Sequence, residues 1–475
     1  MKQTLTCATI MLCMFGVGQI VNAAKAPFFL KNGDRVCFYG YSITAQRYYT
    51  TDVETYVLTH YPKLKVKFVN SGIGGDRVTG GWAGPIDLRL KRDVFPFKPN
   101  VIVYLLGQND AGYKPYSKRT FDIYRRGLKH ILDSLRSHLP NVRIVLINSS
   151  PWDDFTHSPG FMLDPKAKGS YNNVLIRYGQ YNQQLAKRDH FFWVDFNAPL
   201  VAVLKKAVKI NLKLARMIIP GRIHPSAAGH LVMAQTLLKA WGAPSTITSV
   251  RINAEDKQVV KSANTAVSGV ADAHGTLSWR QMDGSLPMPI MSLHDKWPLF
   301  APQGLWPART PNFQYTNPVT ALVVKACGFY HALDRETLRV THLSAPKYQL
   351  RIDGQPVGTF SSMDLAHGIN LARFVTPMMT QAYRVLALAW QRTEVRFAGW
   401  QQVQLPMANI FHRPTFFHAP RGPIFPVDTQ SNPAARMAVQ KIMRGFSALE
   451  HVVAAAERQA AQPVMHHYTL VPMSG

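Results

Sequence analysis

The chain has 475 residues, of which 47% are hydrophobic and 17% are charged, and it carries 54 lysines and arginines against 27 acidic residues. This length allows two or three domains with a sizeable core, and the composition excludes an intrinsically disordered chain. The formal net charge of +27 favours anionic polymers or envelope surfaces as partners, although solvated basic faces that only aid solubility would give the same charge. No nucleic-acid-binding module appears, so nucleic acid is not predicted as a partner.

The first 23 residues have the pattern of a signal peptide. Lys2 supplies a positive charge, residues 6–21 are uncharged, and residues 21–23 (VNA) fit a cleavage site. The apolar stretch is short for a membrane span, so we predict export to the periplasm or out of the cell, with no transmembrane helix after the signal is removed. A retained N-terminal anchor is the alternative. Of four cysteines, only Cys37 and Cys327 would remain, which is too few for a disulfide framework.

Residues 24–245 alternate between short apolar runs and amphipathic stretches. The apolar runs predict five buried strands, at Val36–Tyr39, Val66–Val69, Val101–Leu106, Ile144–Ile147 and Phe191–Val194. Hydrophobic residues recur at helical spacing in residues 53–60, 121–135 and 231–241. This alternation predicts an α/β domain with a parallel sheet between two layers of helices. In such domains, ligands bind beyond the carboxyl ends of the strands.

Residues 246–475 have a different pattern, which predicts a separate C-terminal α+β module. Tyr348–Phe360 alternates apolar and polar residues around Asp353-Gly354, as a β-hairpin does, and Leu338–Val340 is a further strand candidate. Residues 377–389 and 433–460 are predicted as helices. The proline-rich residues 285–311 are predicted as a long irregular connection.

Four short segments carry the candidate chemistry. They are GYSI at residues 40–43, NSGIGGDR at 70–77, GQND at 107–110 and GRIHPSAAGH at 221–230. The first three follow predicted strands, so we expect their loops to meet at one edge of the sheet.

These segments contain the parts that acyl transfer from an ester requires. Ser42 can act as the nucleophile and His224 as its base, while Gly75 and Asn109 can donate hydrogen bonds to the oxyanion. Each residue alone is more often a turn residue, a loop residue or a core histidine. Their joint occurrence, in this order and at these places, favours a catalytic site.

The four segments resemble the sequence blocks of the SGNH hydrolases, also called GDSL lipases and esterases, over about residues 33–245. The resemblance implies a flavodoxin-like three-layer α/β/α sandwich. It also implies catalytic Ser42 and His224, an oxyanion hole of Gly75 and Asn109, and a supporting Asp110, with no cofactor and no metal. The C-terminal half is similar to an extension found in some secreted members.

Two positions depart from the family pattern, and both have lost an acid. Tyr41 stands where the first block has aspartate, and Gly221 stands where an aspartate usually precedes the histidine by three residues. Tyr41 could hydrogen-bond through its hydroxyl or block the site. A backbone carbonyl or water could orient His224, and so could a carboxylate that the fold brings near; the candidates are Asp153, Asp154 and Asp195.

The sequence therefore favours an exported serine ester hydrolase that acts on O-acyl groups of carbohydrates or on small esters, with reduced activity. Its expected partner is an ester substrate such as an acylated anionic polysaccharide or envelope component. The alternatives are a non-catalytic binding protein on a decayed esterase scaffold, and a lipase or lysophospholipase. The sequence predicts no oligomeric state.

Overall fold

The computed structural model of the protein describes residues 27–291, 317–404, 429 and 432–473. The predicted signal peptide, residues 1–23, lies outside the described residues, as does most of the predicted irregular connection at residues 285–311.

The N-terminal part is built on a five-stranded parallel sheet. Its strands and a small intervening hairpin are β1 (Arg35–Gly40), β2 (Lys67–Asn70), β3 (Gly80–Gly81), β4 (Gly84–Pro85), β5 (Val101–Leu105), β6 (Arg143–Asn148) and β7 (Phe192–Asp195). The sheet order is β2-β1-β5-β6-β7, with every neighbouring pair parallel. This is the flavodoxin-like order, in which the first strand lies between the second and the third. All residues of β5 are buried, because helices cover both faces of the sheet.

Eight helices connect or follow these strands. They are α1 (Ser42–Ala45), α2 (Tyr48–His60), α3 (Ile86–Asp93), α4 (Lys118–His138), α5 (Tyr171–Asp189), α6 (Asn197–Ile210), α7 (Leu212–Arg216) and α8 (Ala227–Ala240). The predicted hydrophobic stripe of α4 is buried at Tyr124, Leu128, Ile131 and Leu135, as its helical spacing requires. The result is the predicted three-layer α/β/α sandwich.

The C-terminal part adds strands and helices of α+β type. Its strands are β8 (Thr246–Asn253), β9 (Gln258–Ala263), β10 (Thr265–Ala273), β11 (Thr276–Asp283), β12 (Arg335–Thr341), β13 (Lys347–Ile352), β14 (Gln355–Ser361), β15 (Ile369–Asn370) and β16 (Met465–Pro472). They form two sheets, ordered β10-β11-β16-β13-β14 and β15-β12-β8-β9. The predicted hairpin is β13–β14, with Asp353 and Gly354 at its turn.

The described helices of this part are α9 (Pro318–Cys327), α10 (Phe329–Leu333), α11 (Ser362–His367), α12 (Pro377–Phe397) and α13 (Pro433–Ala460). The helix α12 packs on α13 and also on α2 of the sandwich. Aromatic and aliphatic side chains fill that contact: Tyr48, Met291, Met379, Tyr383, Leu386 and Trp390. Within the described ranges, we find no helix whose length and apolar character would let it cross a membrane.

Candidate active site

Ser42 lies where β1 ends and the short helix α1 begins. Gly40 closes the strand, and a side chain there would collide with the carbonyl oxygen of Leu105 on β5 at 2.8 Å. The chain therefore turns sharply beside the neighbouring strand. Ser42 is only 7% exposed, at the carboxyl edge of the sheet where parallel α/β folds place their ligands.

His224 lies in the loop before α8, and its ring reaches Ser42. The distance from His224 Nε2 to Ser42 Oγ is 2.7 Å, within hydrogen-bond range although 182 residues separate them in sequence. Burial of the ring lowers the pKa of His224 to about 4, because desolvation disfavours the charged imidazolium. The imidazole is therefore neutral near pH 7 and can accept a proton.

Gly75 occupies a backbone conformation that favours glycine. Its φ is +73°, in the left-handed region, and a Cβ there would meet the indole of Trp82 at 2.5 Å. A larger residue is thus excluded by strain and by crowding. The next residue, Asp76, is buried and accepts hydrogen bonds from Arg89 Nε (3.0 Å) and the Tyr39 hydroxyl (3.2 Å), which anchor the loop.

Asn109 lies in the loop after β5, and its side-chain amide is fixed in one orientation. The hydroxyl of Tyr113 donates to Asn109 Oδ1 (2.7 Å), and Asn109 Nδ2 donates to the carbonyl oxygen of Asp76 (2.9 Å). This amide group carries two N–H donors. The loops of Gly75 and Asn109 are therefore joined beside Ser42.

Asp110 joins the same two loops through its carboxyl group. Its oxygens accept hydrogen bonds from the backbone N–H of Val78 (2.8 Å) and of Gly107 (3.0 Å). Burial raises the pKa of Asp110 to about 7. The two backbone donors stabilise the charged carboxylate and so lower this pKa, but burial has the larger effect.

Tyr41 points away from the site, into the core. Its side chain is fully buried, and its hydroxyl lies 2.6 Å from Gln108 Oε1 and 2.8 Å from Ser149 Oγ. Of the two alternatives left by the sequence, the structure shows the hydrogen-bonded one. A ring that is buried below the loop does not stand over the entrance.

Gly221 is exposed, and an added Cβ would meet no atom within 4 Å. The three carboxylates proposed as substitutes each accept hydrogen bonds elsewhere. Asp153 accepts from Phe155 N and Thr156 N, Asp154 from Trp152 Nε1 and Gly160 N, and Asp195 from Asn197 N. The Asp153 backbone N–H also donates to the carbonyl oxygen of Arg222 (3.0 Å), so the loop after β6 contacts the histidine segment.

Sequence reasoning missed the residues that support the site from below. His230 Nδ1 accepts from the Tyr49 backbone N–H (3.2 Å), and its Nε2 lies 3.1 Å from Gln46 Oε1. Gln46 directly follows the helix that Ser42 begins, and its Nε2 lies 3.5 Å from the carbonyl oxygen of Pro225, next to His224. For Gln108, its position beside Asn109 was the one signal in the sequence for a role in supporting the site. For Gln46 and His230, nothing in the sequence indicates that they contact each other.

A buried serine 2.7 Å from a neutral imidazole, at the carboxyl edge of a flavodoxin-like sheet, has the geometry that nucleophilic catalysis by serine requires. A sequence model of the GDSL-like lipase/acylhydrolase family matches residues 38–232. Residues 38–232, which lie in the α/β sandwich, are therefore similar to this SGNH hydrolase family, whose members act on esters.

Two similar proteins bear on the activity. An acetylxylan esterase of Geobacillus stearothermophilus is 25% identical over 183 residues, which cover 38% of this chain and 75% of that protein. A gut microbial diltiazem-metabolizing enzyme of known structure is 26% identical, with a TM-score of 0.74 over 94% of this chain and 98% of the other. The second likeness extends over both the sandwich and the C-terminal part.

Proposed function

We propose that this protein is an exported serine ester hydrolase that removes O-acyl groups from carbohydrates or from small esters. The single observation that carries the proposal is the 2.7 Å contact between Ser42 Oγ and His224 Nε2. Its support from relatives is the similarity to an acetylxylan esterase over 183 residues. The basic net charge of +27 favours a substrate on an anionic polysaccharide or envelope surface.

In the proposed reaction, Ser42 Oγ attacks the ester carbonyl carbon while His224 Nε2 takes the serine proton. The carbonyl oxygen becomes an oxyanion, which accepts hydrogen bonds from the backbone N–H of Gly75 and from the second N–H of Asn109 Nδ2. The intermediate then collapses, and the leaving alcohol takes the proton from His224. The products of this half-reaction are the alcohol and an acyl group on Ser42.

The second half-reaction uses the same groups in reverse. His224 Nε2 takes a proton from water, and the hydroxide attacks the acyl carbon. The oxyanion again lies between Gly75 and Asn109. Collapse releases the carboxylic acid and returns the proton to Ser42 Oγ.

The proposed enzyme is slow, because no acid stands at position 221. In serine proteases, loss of the carboxylate that orients the histidine costs roughly 10⁴-fold in rate. With the pKa of His224 lowered to about 4, the imidazole is also a weaker base than usual. Slow turnover would still exceed that of a binding protein without any reactive serine.

The test is hydrolysis of p-nitrophenyl acetate and of acetylated xylan by the purified protein and by Ser42→Ala. We expect slow hydrolysis that the Ser42→Ala change abolishes. The matched control is Ser137→Ala, an exposed serine on α4, which should leave the rate unchanged. An equal rate in the parent and in Ser42→Ala would contradict the proposal that the protein is a serine ester hydrolase, and would favour the alternative of a non-catalytic binding protein.

A further inference from the structure

Tyr41 connects the turn that carries Ser42 to the neighbouring loop. It lies between Gly40 and Ser42, yet its ring packs in the core below them. Its hydroxyl contacts Gln108 Oε1 (2.6 Å) and Ser149 Oγ (2.8 Å), on the loops that follow β5 and β6. One phenol group thus joins the ends of three adjacent strands.

Gln108 is held at both its side chain and its backbone. Its side chain is fully buried and meets the Tyr41 hydroxyl, while its carbonyl oxygen accepts a hydrogen bond from the hydroxyl of Tyr171 on α5. The next residue is Asn109. Any shift of Gln108 therefore moves the backbone from which the Asn109 amide projects.

Asn109 needs this support because its own side chain must be aimed at a developing charge. Tyr113 contacts its Oδ1 from the same loop and the Asp76 carbonyl accepts from its Nδ2 on the loop after β2, but both contacts are to the side chain and neither holds the backbone of Gln108. Electrostatic stabilisation of an oxyanion depends on donors that are already in place. A backbone shift of about 1 Å is enough to weaken it.

We propose that Tyr41 is a positioning residue, whose hydroxyl holds Gln108 and thereby fixes Asn109 as an oxyanion donor. The inference rests on the proposed function, since it assigns a role within that same site. In this chain a neutral phenol takes the place of the family aspartate in the first sequence block.

The burial of Tyr41 suits a permanent donor. Desolvation raises the pKa of its hydroxyl well above the usual value, so the group is protonated near neutral pH. A carboxylate at this position would have no proton to donate to Gln108 Oε1.

The first test is Tyr41→Phe, which removes the hydroxyl and keeps the ring. Ser149 Oγ lies 3.1 Å from Gln108 Oε1, so these two groups can still pair and the fold should survive. We expect kcat for p-nitrophenyl acetate to fall about tenfold, the equivalent of ~1.4 kcal/mol, with KM little changed. An unchanged kcat would overturn the proposal.

A double-mutant cycle with Asn109→Ala separates positioning from a general structural effect. If Tyr41 acts through Asn109, the Tyr41→Phe change should alter kcat by less than about twofold once Asn109 is absent. If Tyr41→Phe instead lowers kcat by the full tenfold both with Asn109 present and in Asn109→Ala, the two residues act independently and the proposal is overturned.

Tyr104→Phe is the matched control. Tyr104 is also a fully buried tyrosine, on the strand that leads to Gln108, and its hydroxyl has no hydrogen-bond partner among the described residues. It should not change kcat.

Amide hydrogen exchange gives a readout that does not need catalysis. The peptide that covers residues 106–113 should exchange faster in Tyr41→Phe than in the parent or in Tyr104→Phe. If the parent does not hydrolyse esters, the proposed function fails, and this measurement still decides whether Tyr41 holds the loop. Equal exchange in the three proteins would overturn the positioning role.

Discussion

At the scale of single residues, the surroundings of His224, the proposed base, differ from the usual arrangement. It contacts Ser42 at 2.7 Å, but glycine stands where an aspartate usually precedes it by three residues. A carboxylate there would orient the ring and stabilise its protonated form. Two measurable consequences follow for this residue, one in the pH profile and one in a variant.

The pH profile should extend further into acid than that of an unperturbed histidine. His224 must be neutral to accept the serine proton, and burial lowers its pKa to about 4 from the ordinary value of about 6.5. The protonated fraction grows only as pH falls through about 4, so kcat/KM should remain level down to that region and then fall. The check is kcat/KM for p-nitrophenyl acetate from about pH 3 to about pH 8. A fall centred near 6.5 would contradict the buried, neutral imidazole.

Replacing Gly221 with aspartate should raise activity. The position is exposed and has room for a side chain. We expect Gly221→Asp to raise kcat by at least about tenfold with little change in KM, because orientation of the base acts mainly in the transition state. The acid limb of the pH profile should also move to higher pH, since a carboxylate favours the imidazolium.

The matched control for that change is Gly445→Asp, which adds the same charge at an open position on α13. It should leave kcat unchanged. Equal rates for Gly221→Asp and the parent would mean that another group already orients His224.

At the scale of elements, the site depends on loops that are tied to one another at the carboxyl edge of the sheet. Asp110 is the clearest tie, because one carboxylate accepts from Val78 N on one loop and from Gly107 N on the other. An asparagine offers only one acceptor oxygen, so it can satisfy one of these two donors.

We expect Asp110→Asn to keep the fold but to lower kcat by roughly 10- to 100-fold, because small displacements of catalytic groups carry costs of that order. The comparison is with Asp122→Asn, an aspartate on the outer helix α4 that should have no effect. A kcat equal to that of the parent, measured on the same ester, would show that the two loops keep their places without this carboxylate.

The elements of the sandwich could be predicted because each buried strand is a short apolar run. The predicted Ile144–Ile147 became β6, Arg143–Asn148, one residue longer at each end. The residues Ser42 and His224 could also be proposed, since each lies in a recognisable segment. The supporting contacts could not be predicted. Tyr41 meets Gln108 and Ser149, which lie 67 and 108 residues further along the chain, so only folding brings them together.

At the scale of the whole molecule, the C-terminal part contacts the sandwich beside the segment that carries Ser42. Arg47, which directly precedes α2, pairs with Glu394 on α12 at 2.9 Å, and the Tyr48 ring stacks on Trp390 with centroids 5.6 Å apart. The pairing of β8 with β12, which organises one C-terminal sheet, joins distant and parallel strands that have no short-range signal. That is why the sequence indicated a module but not its topology.

Arg392 is the central ionic contact of this arrangement. It is buried and pairs with Glu54 on α2 and with Glu450 (2.9 Å) and Glu457 (3.1 Å) on α13. It also donates to the carbonyl oxygen of Phe68 on the edge strand β2 (3.2 Å). One guanidinium therefore holds three helices and a strand together.

We expect Arg392→Met to lower the free energy of unfolding by ~3–5 kcal/mol, because it leaves buried carboxylates without their counter-charge. Burial already raises the pKa of Glu457 to about 8 and also raises the pKa of Glu54, so these two acids bind protons more tightly in the folded than in the unfolded state. Stability of the variant should therefore fall further as pH rises. Denaturant unfolding at two pH values checks this, with Arg384→Met, an exposed position on the same helix, as the control. A loss below about 1 kcal/mol would contradict the account.

The central claim, that Ser42 is a nucleophile activated by His224, is tested most directly by covalent labelling. The protein is treated with a fluorophosphonate, which reacts with activated serines, and the adduct is located by mass spectrometry of its peptides. The account predicts one adduct, on Ser42, and much slower labelling in His224→Ala. Labelling that is absent, that falls on another serine, or that proceeds equally in His224→Ala would contradict it.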